Sequence, residues 1–422
     1  PATRIANGID EMTTATTRPL GLRENLGPFL QQLLQVFFVG LTIGLQRTVI
    51  PAMAETEFGV AQGSIVSLFA FVVSFGLVKG AMNFVSGRLS DSVGRRKVLI
   101  WGWLVALPIP FVILLAPSWG WIVAANVLLG VNQGFCWSMT VTAKFDIARP
   151  DQRGLATGVN EFAGYGGVAI AGLATGYLAS QFDPRTALFT FGLIVNLLAL
   201  VAAILAFAET RPQTSGTAKG PAVSAKSIFA LVTWKSRDFQ ALSQAGSVEK
   251  FVDALMWALV PVYLAAQGVA LVTIGWITAT YGLVWGASQL WTGPLSDRIG
   301  RKPPIVAGFA ICASAVAAFP LLSAPLAWAG AAAVTGVGMA LLYPNLIAAV
   351  GDLAAPEWRG SALGVYRFWR DLGYAFGALA IGLVADASGY LEAGFWLTSG
   401  AMALSGLWLL LGLRETHRPE KG

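Results

Sequence analysis

Long apolar runs alternate with short polar breaks along this chain. Divided at the Gly, Pro and charged positions that interrupt them, the runs fall at 29–57, 62–86, 98–116, 120–143, 154–180 and 187–208. They resume at 245–266, 271–295, 304–323, 327–349, 360–385 and 391–413. Each is long enough to cross about 30 Å of hydrocarbon as a helix. The pattern predicts an all-α integral membrane protein with twelve transmembrane helices. Residues 1–28 read as a polar tail, 29–208 and 241–413 as six-helix bundles, 209–240 as a Ser/Gly/Ala/Lys-rich linker, and 414–422 as a second tail.

Composition supports this. Only 12% of the 422 residues are charged and 55% are hydrophobic, against about 25% charged in soluble domains. Two cysteines, Cys136 and Cys312, sit inside apolar runs, and the single histidine, His417, lies in the tail. That usage points away from a disulfide framework and from a metal site, and no cofactor is expected. No nucleophile–base set suggests an enzyme.

The net charge of +6 is topological. Of 28 Lys and Arg, 22 lie in the tails and in the loops after even-numbered spans, while the loops after odd-numbered spans hold Arg185 alone. Cations are retained on the cytoplasmic side, so both termini and the linker are expected there, in a bacterial inner membrane. Nucleic acid is not needed to explain the charge. Membrane lipids are the expected surroundings.

The two halves are a repeat. GRLSDSVGRRK (87–97) returns 206 positions later as GPLSDRIGRKP (293–303). At the same offset ARPDQRGLATGVNEF (148–162) answers AAPEWRGSALGVYRF (354–368), and Glu209-Thr210 answers Glu415-Thr416. A constant offset that carries glycines and charges implies two six-helix bundles in the same orientation, related by an axis along the membrane normal.

GRLSDSVGRRK closely resembles the signature of the major facilitator superfamily, Gly-x-Leu-x-Asp-x-x-Gly-Arg-Arg/Lys, between the second and third helices. The second copy stands between the eighth and ninth, where that family often keeps a degenerate one. The resemblance covers essentially the whole chain. On physical grounds Gly87 and Gly293 permit close helix approach. Asp91 and Asp297 offer acceptors to arginines or to a facing helix N-terminus. Gly94 and Gly300 allow the tight turn, and Arg95, Arg96, Arg301 and Lys302 hold the loop at the inner face. The resemblance implies that this cluster latches the halves while the cavity faces outward.

Ionisable residues inside spans default to a solute or ion pathway. These are Arg47, Lys79 and Glu161 in the first half, and Lys250, Asp253, Arg367, Arg370 and Asp371 in the second. Arg47 with Asp253, and Glu161 with Arg367, stand at repeat-equivalent positions with opposite signs. Arg47 and Asp253 are read as a pair that opens and closes between the halves. Lys250 with Asp253 and Arg367 with Asp371 are also spaced to neutralise each other locally, and Lys79 is within snorkelling reach of the cytoplasm.

In span 4, Asn126, Gly130, Gln133, Trp137, Thr140 and Lys144 share one helix face. It reads as a polar cavity wall or as a helix–helix interface. Tyr343 and Asn345 in span 10 are placed to contribute from the other half. The family's drug/proton antiporters usually carry an arginine three residues before a Gln-Gly pair in span 4 and a Gly-Pro step in span 5. Here Gly130 precedes Gln133-Gly134, and 160–176 has no proline.

Cations slightly outnumber anions in the spans, which suits a small anionic or zwitterionic organic solute. Without a P-loop, an ion gradient is the expected energy source. Protons are the expected coupling ion, with Glu161 or Asp253 as carrier, in a monomer working by alternating access. The alternatives are a polyspecific proton-antiporting exporter of amphipathic compounds and a transport-inactive receptor or scaffold.

Overall fold

The computed structural model describes residues 19–59, 65–211 and 224–417. Their long helices group into twelve rods. The first six are α1 (Leu26–Thr56), α2 (Ile65–Val93), α3 (Arg95–Ala106, continuing as Pro108–Leu114), α4 (Trp119–Ile147), α5 (Arg153–Gln181) and α6 (Pro184–Leu205). The second six are α7, α8 (Leu271–Ile299), α9 (Lys302–Ala318), α10 (Pro325–Leu353), α11 (Arg359–Ser388) and α12 (Glu392–Gly412). Rod α7 has three pieces: Arg237–Ala254, a π-helical turn Leu255–Leu259, and Val260–Ala266. A helix of 29 residues such as α4 is about 43 Å long at the standard rise, more than a bilayer's hydrocarbon core.

Among the described residues, nine rods are long and apolar enough to cross a membrane: α1, α3–α6 and α9–α12. The other three are diluted or cut. Part of α2 adjoins undescribed residues, α7 carries Glu249, Lys250 and Asp253, and α8 is rich in Thr, Gly and Trp.

The stretch 209–240 contains structure of its own. A short helix, Ala225–Ala230, is capped by the Ser224 hydroxyl, and α7 already begins at Arg237 behind the Ser236 cap. Residues expected one turn inside span 7 are therefore three turns deep in α7.

The halves meet along two seams, α2 against α11 and α5 against α8. Glycine makes both possible. A Cβ on Gly87 would run into the backbone carbonyl of Gly360, and one on Gly293 into that of Gly154. Small residues let helix backbones approach where lipid supplies no hydrophobic drive.

Candidate functional site

Two sets of polar side chains join the halves. The first is at the motif end, where both repeated signatures lie. Asp91, near the end of α2, accepts hydrogen bonds from the Ser361 backbone N–H (2.8 Å) and hydroxyl (2.6 Å) at the start of α11. Asp297, near the end of α8, accepts from the N–H groups of Gly154 (2.9 Å) and Leu155 (2.8 Å) at the start of α5. Each carboxylate thus caps a helix of the opposite half, where unpaired N–H groups favour negative charge.

The arginine four residues on holds each carboxylate from its own side. Arg95 Nη1 lies 3.2 Å from Asp91 Oδ1, and Arg301 Nη1 lies 2.5 Å from Asp297 Oδ1. Arg95 also donates to Asp146 at 2.8 Å, and Arg301 to the repeat-equivalent Asp352 at 3.0 Å. Arg153 reaches Asp352 across the seam at 2.6 Å. Its equivalent, Arg359, donates to the Phe145 carbonyl instead, at 3.4 Å.

Gly94 and Gly300 turn the chain with φ of 101° and 94°, values L side chains avoid. The helix-start N–H groups that follow are capped. Glu209 accepts from Arg95 (2.9 Å) and Arg96 (3.1 Å), and Glu415 from Arg301 (2.7 Å) and Lys302 (3.1 Å). Arg96 further donates to the Ile204 carbonyl. The repeated glutamate thus secures the end of each bundle to its own motif loop.

The second set lies deeper. Asp371 on α11 accepts from Asn83 on α2 at 2.6 Å, and its Oδ2 is 3.6 Å from Lys79. Arg370 forks onto Glu249 of α7 at 3.1 and 3.3 Å and lies 3.7 Å from the Tyr343 ring centroid. Lys250 pairs with Asp253, whose other oxygen accepts the Tyr281 hydroxyl at 2.7 Å. Lys79 also stands over the Trp137 ring, at 5.6 Å.

On the first-half side, Glu161 Oε1 accepts from Trp137 and Asn160, both at 2.9 Å, while its buried Oε2 has no partner. Lys144 donates to Asn160 at 2.8 Å. Arg367 is buried, and none of its three guanidinium nitrogens has a hydrogen-bond partner. Aromatic rings tie the halves at this level, with Tyr165 of α5 at 4.4 Å from Trp285 of α8, centroid to centroid.

The local Lys250–Asp253 pairing is present, and other pairings differ from expectation. Asp371 is not the local partner of Arg367, because Asn83, Lys79 and Arg370 already occupy its oxygens. Lys79 turns toward Asp371 rather than snorkelling away. Asp253 is engaged by Lys250 and Tyr281, and the side chain of Arg47 lies outside the described residues. The span-4 stripe packs within its own half: Gln133 donates to the Val39 carbonyl and Thr42 hydroxyl of α1, and Gly130 meets α2 at Phe75 and Val78. Asn126 and Tyr343 are buried, and Asn345 donates to Leu341 of its own helix at 2.8 Å.

Sequence reasoning missed Glu249, Asn83, Tyr281 and Asn160. The offset held one clue: Asn83 stands 206 positions before Gln289, a second amide on the matching face.

Paired helical bundles, joined at one end by repeated carboxylates and deeper by the Lys79–Asp371 ion pair, are the architecture of a membrane transporter. The family model described as Major Facilitator Superfamily matches residues 33–248 and 245–422. An uncharacterized MFS-type transporter of Salmonella typhimurium is 26% identical over 404 residues, 90% of this chain and 95% of that protein. The fold is similar to the human organic anion transporter MFSD10 (TM-score 0.73, 18% identity, 90% of this chain and 98% of that one). It is also similar to the Escherichia coli fucose:proton symporter FucP (TM-score 0.72, 12% identity, 91% and 98%). This chain belongs to the Major Facilitator Superfamily and is a transporter, not an enzyme.

Proposed function

We propose that this protein is a proton-coupled secondary transporter of a small organic solute, working by alternating access. It sits in a bacterial inner membrane with its termini and both motifs in the cytoplasm. The observation that carries the reading is the Lys79–Asp371 contact, a largely buried ion pair shared between the halves at 3.6 Å. Such a pair costs desolvation energy wherever it is buried, and a rocking movement that separates α2 from α11 breaks and remakes it. With the Asp91 and Asp297 latches closed, this arrangement is the state sealed toward the cytoplasm.

Glu161 is the better proton carrier of the two carboxylates named from the sequence. Both oxygens of Asp253 are engaged, whereas Glu161 keeps one oxygen without a partner. A proton-coupled relative in fold, the fucose symporter, is consistent with this.

The test is flux in proteoliposomes carrying an internal pH-sensitive dye. Solute-dependent proton movement supports the proposal, and its direction distinguishes import from export. Solute flux without proton movement removes the coupling. Binding without any flux favours a receptor.

A further inference from the structure

The deep layer does not balance its charges internally. Among the described residues five cations face four carboxylates: Arg370 is matched by Glu249, Lys250 by Asp253, Lys79 by Asp371, and Lys144 shares Asn160 with Glu161. Arg367 is left over. It is 1% exposed, and its Nε, Nη1 and Nη2 all lack a hydrogen-bond partner. A guanidinium does not shed its proton in a protein, so this is a permanent buried cation with five unused donors.

Two carboxylates are candidates to match it, and neither hydrogen-bonds its guanidinium. Asp371, one turn on, is taken by Asn83, Lys79 and Arg370. Glu161, at the repeat-equivalent position, is held by Trp137 and Asn160, and Asn160 in turn holds Lys144. A buried guanidinium whose donors all go unused is strongly unfavourable. Among the described residues no side chain supplies the missing acceptors, and a ligand can. Helix α8 holds a second unspent group, Gln289, whose buried amide oxygen and nitrogen are both unpartnered.

We propose that Arg367 is the anion receptor of the transported solute, and that the solute is an organic molecule with one carboxylate. One negative charge restores the balance of the layer. A carboxylate matches the planar guanidinium fork with two parallel hydrogen bonds. Tyr343, whose ring lies against Arg370, stands in an aromatic cluster with Trp285 and Tyr165, centroids 4.4 to 6.3 Å apart, which suits an apolar body. The inference rests on the transport reading of the same site, and binding can be tested separately from transport.

The experiment is thermal unfolding of the purified full chain with potassium benzoate, hexanoate, lactate or pyruvate. Benzyl alcohol and benzylamine serve as controls, all at ionic strength fixed with potassium chloride. At least one carboxylate should raise the wild-type midpoint, and neither control should. In Arg367→Gln the apparent affinity should fall about 100-fold or more, as for loss of one partner of a buried ion pair, and Arg367→Lys should recover part of it. Without ligand, Arg367→Gln should unfold no lower than wild type, because it removes an unpaired buried charge.

No stabilisation by any of the carboxylates, an equal response in Arg367→Gln, or a markedly lower ligand-free midpoint for that variant overturns the assignment. Proteoliposome flux of the stabilising carboxylate separates the two proposals. Binding lost in Arg367→Gln with no wild-type flux removes transport and keeps the receptor. Equal flux in both proteins removes the receptor and keeps transport.

Discussion

Lys79 of α2 and Asp371 of α11 meet across the two halves of the chain, with Nζ 3.6 Å from Oδ2. The same oxygen accepts from Asn83 at 2.6 Å, and Arg370 stands 3.4 Å from the other. One carboxylate of the second half therefore gathers two donors of the first half and one of its own. Asp371→Asn leaves the partly buried Lys79 without its carboxylate, so the variant should lose about 3 kcal/mol, the lower end for removing one member of a buried pair. Adding Lys79→Gln should restore part of that loss, with a coupling of about 1 kcal/mol or more between these touching residues. Thermal unfolding of the four proteins measures the cycle. Additive losses would show that the contact carries no energy.

Glu161 predicts a different behaviour. Its Oε1 anchors Trp137 and Asn160, while Oε2 is unpartnered. Glu161→Gln keeps an oxygen for both donors and removes the titratable group. Solute exchange across proteoliposomes should persist in this variant while solute-driven acidification or alkalinisation stops. Continued proton movement would transfer the coupling role elsewhere.

The glycine contacts between the halves allow a steric test. A side chain at Gly293 collides with the backbone of α5 at Gly154, not with a flexible side-chain tip, so a helix must shift. Gly293→Leu should hold α5 and α8 apart at the motif end and stop net transport without loss of membrane insertion. The checks are flux together with expression in the membrane fraction. Normal flux in Gly293→Leu would mean that the close approach is dispensable.

At the start of α6 the exposed Asp183 accepts from the Thr186 N–H at 2.8 Å and hydroxyl at 2.9 Å. The Thr186 backbone bond, then the hydroxyl bond, holds its carboxyl below the usual aspartate range. A depressed value makes the cap fully effective above the unfolded aspartate value of about 3.9 and lost as pH falls through the folded value. Asp183→Ala should therefore cost about 1 kcal/mol near neutral pH, typical of an N-cap, and progressively less below pH 4. Melting curves of both proteins from pH 7 to pH 3 test this. A pH-independent difference would mean that the cap charge is irrelevant.

The architecture was legible because its determinants are local or repeated. Span length is a property of each run, and the 206-residue offset aligned Asp91 with Asp297 and Glu209 with Glu415 before any contact was known. The partners of the deep charges were not legible. Asp371 lies one turn from Arg367 in sequence, yet it is claimed from another helix 288 residues away, by Asn83. Glu249 stands inside the run 245–266 beside Lys250, and nothing in that run marks it as the partner of an arginine 121 residues on; the packing of α7, which starts at Arg237, brings it to Arg370. Apolar density marks where lipid begins, not where a helix begins. The span-4 stripe shows the same limit: its spacing put Gln133 and Trp137 on one face, but only packing decides whether that face meets water or α1 and α5.

The account turns on the two acidic latches holding the halves together at the motif end. Spin labels on Ser92→Cys and Glu357→Cys, exposed positions on opposite halves at that end, report their separation by pulsed electron resonance in lipid nanodiscs. Wild type should give one short, narrow distance distribution. Asp91→Ala with Asp297→Ala removes both caps from α11 and α5 and should populate a longer distance. An unchanged distribution in the double variant would contradict the latch and the alternating movement built on it.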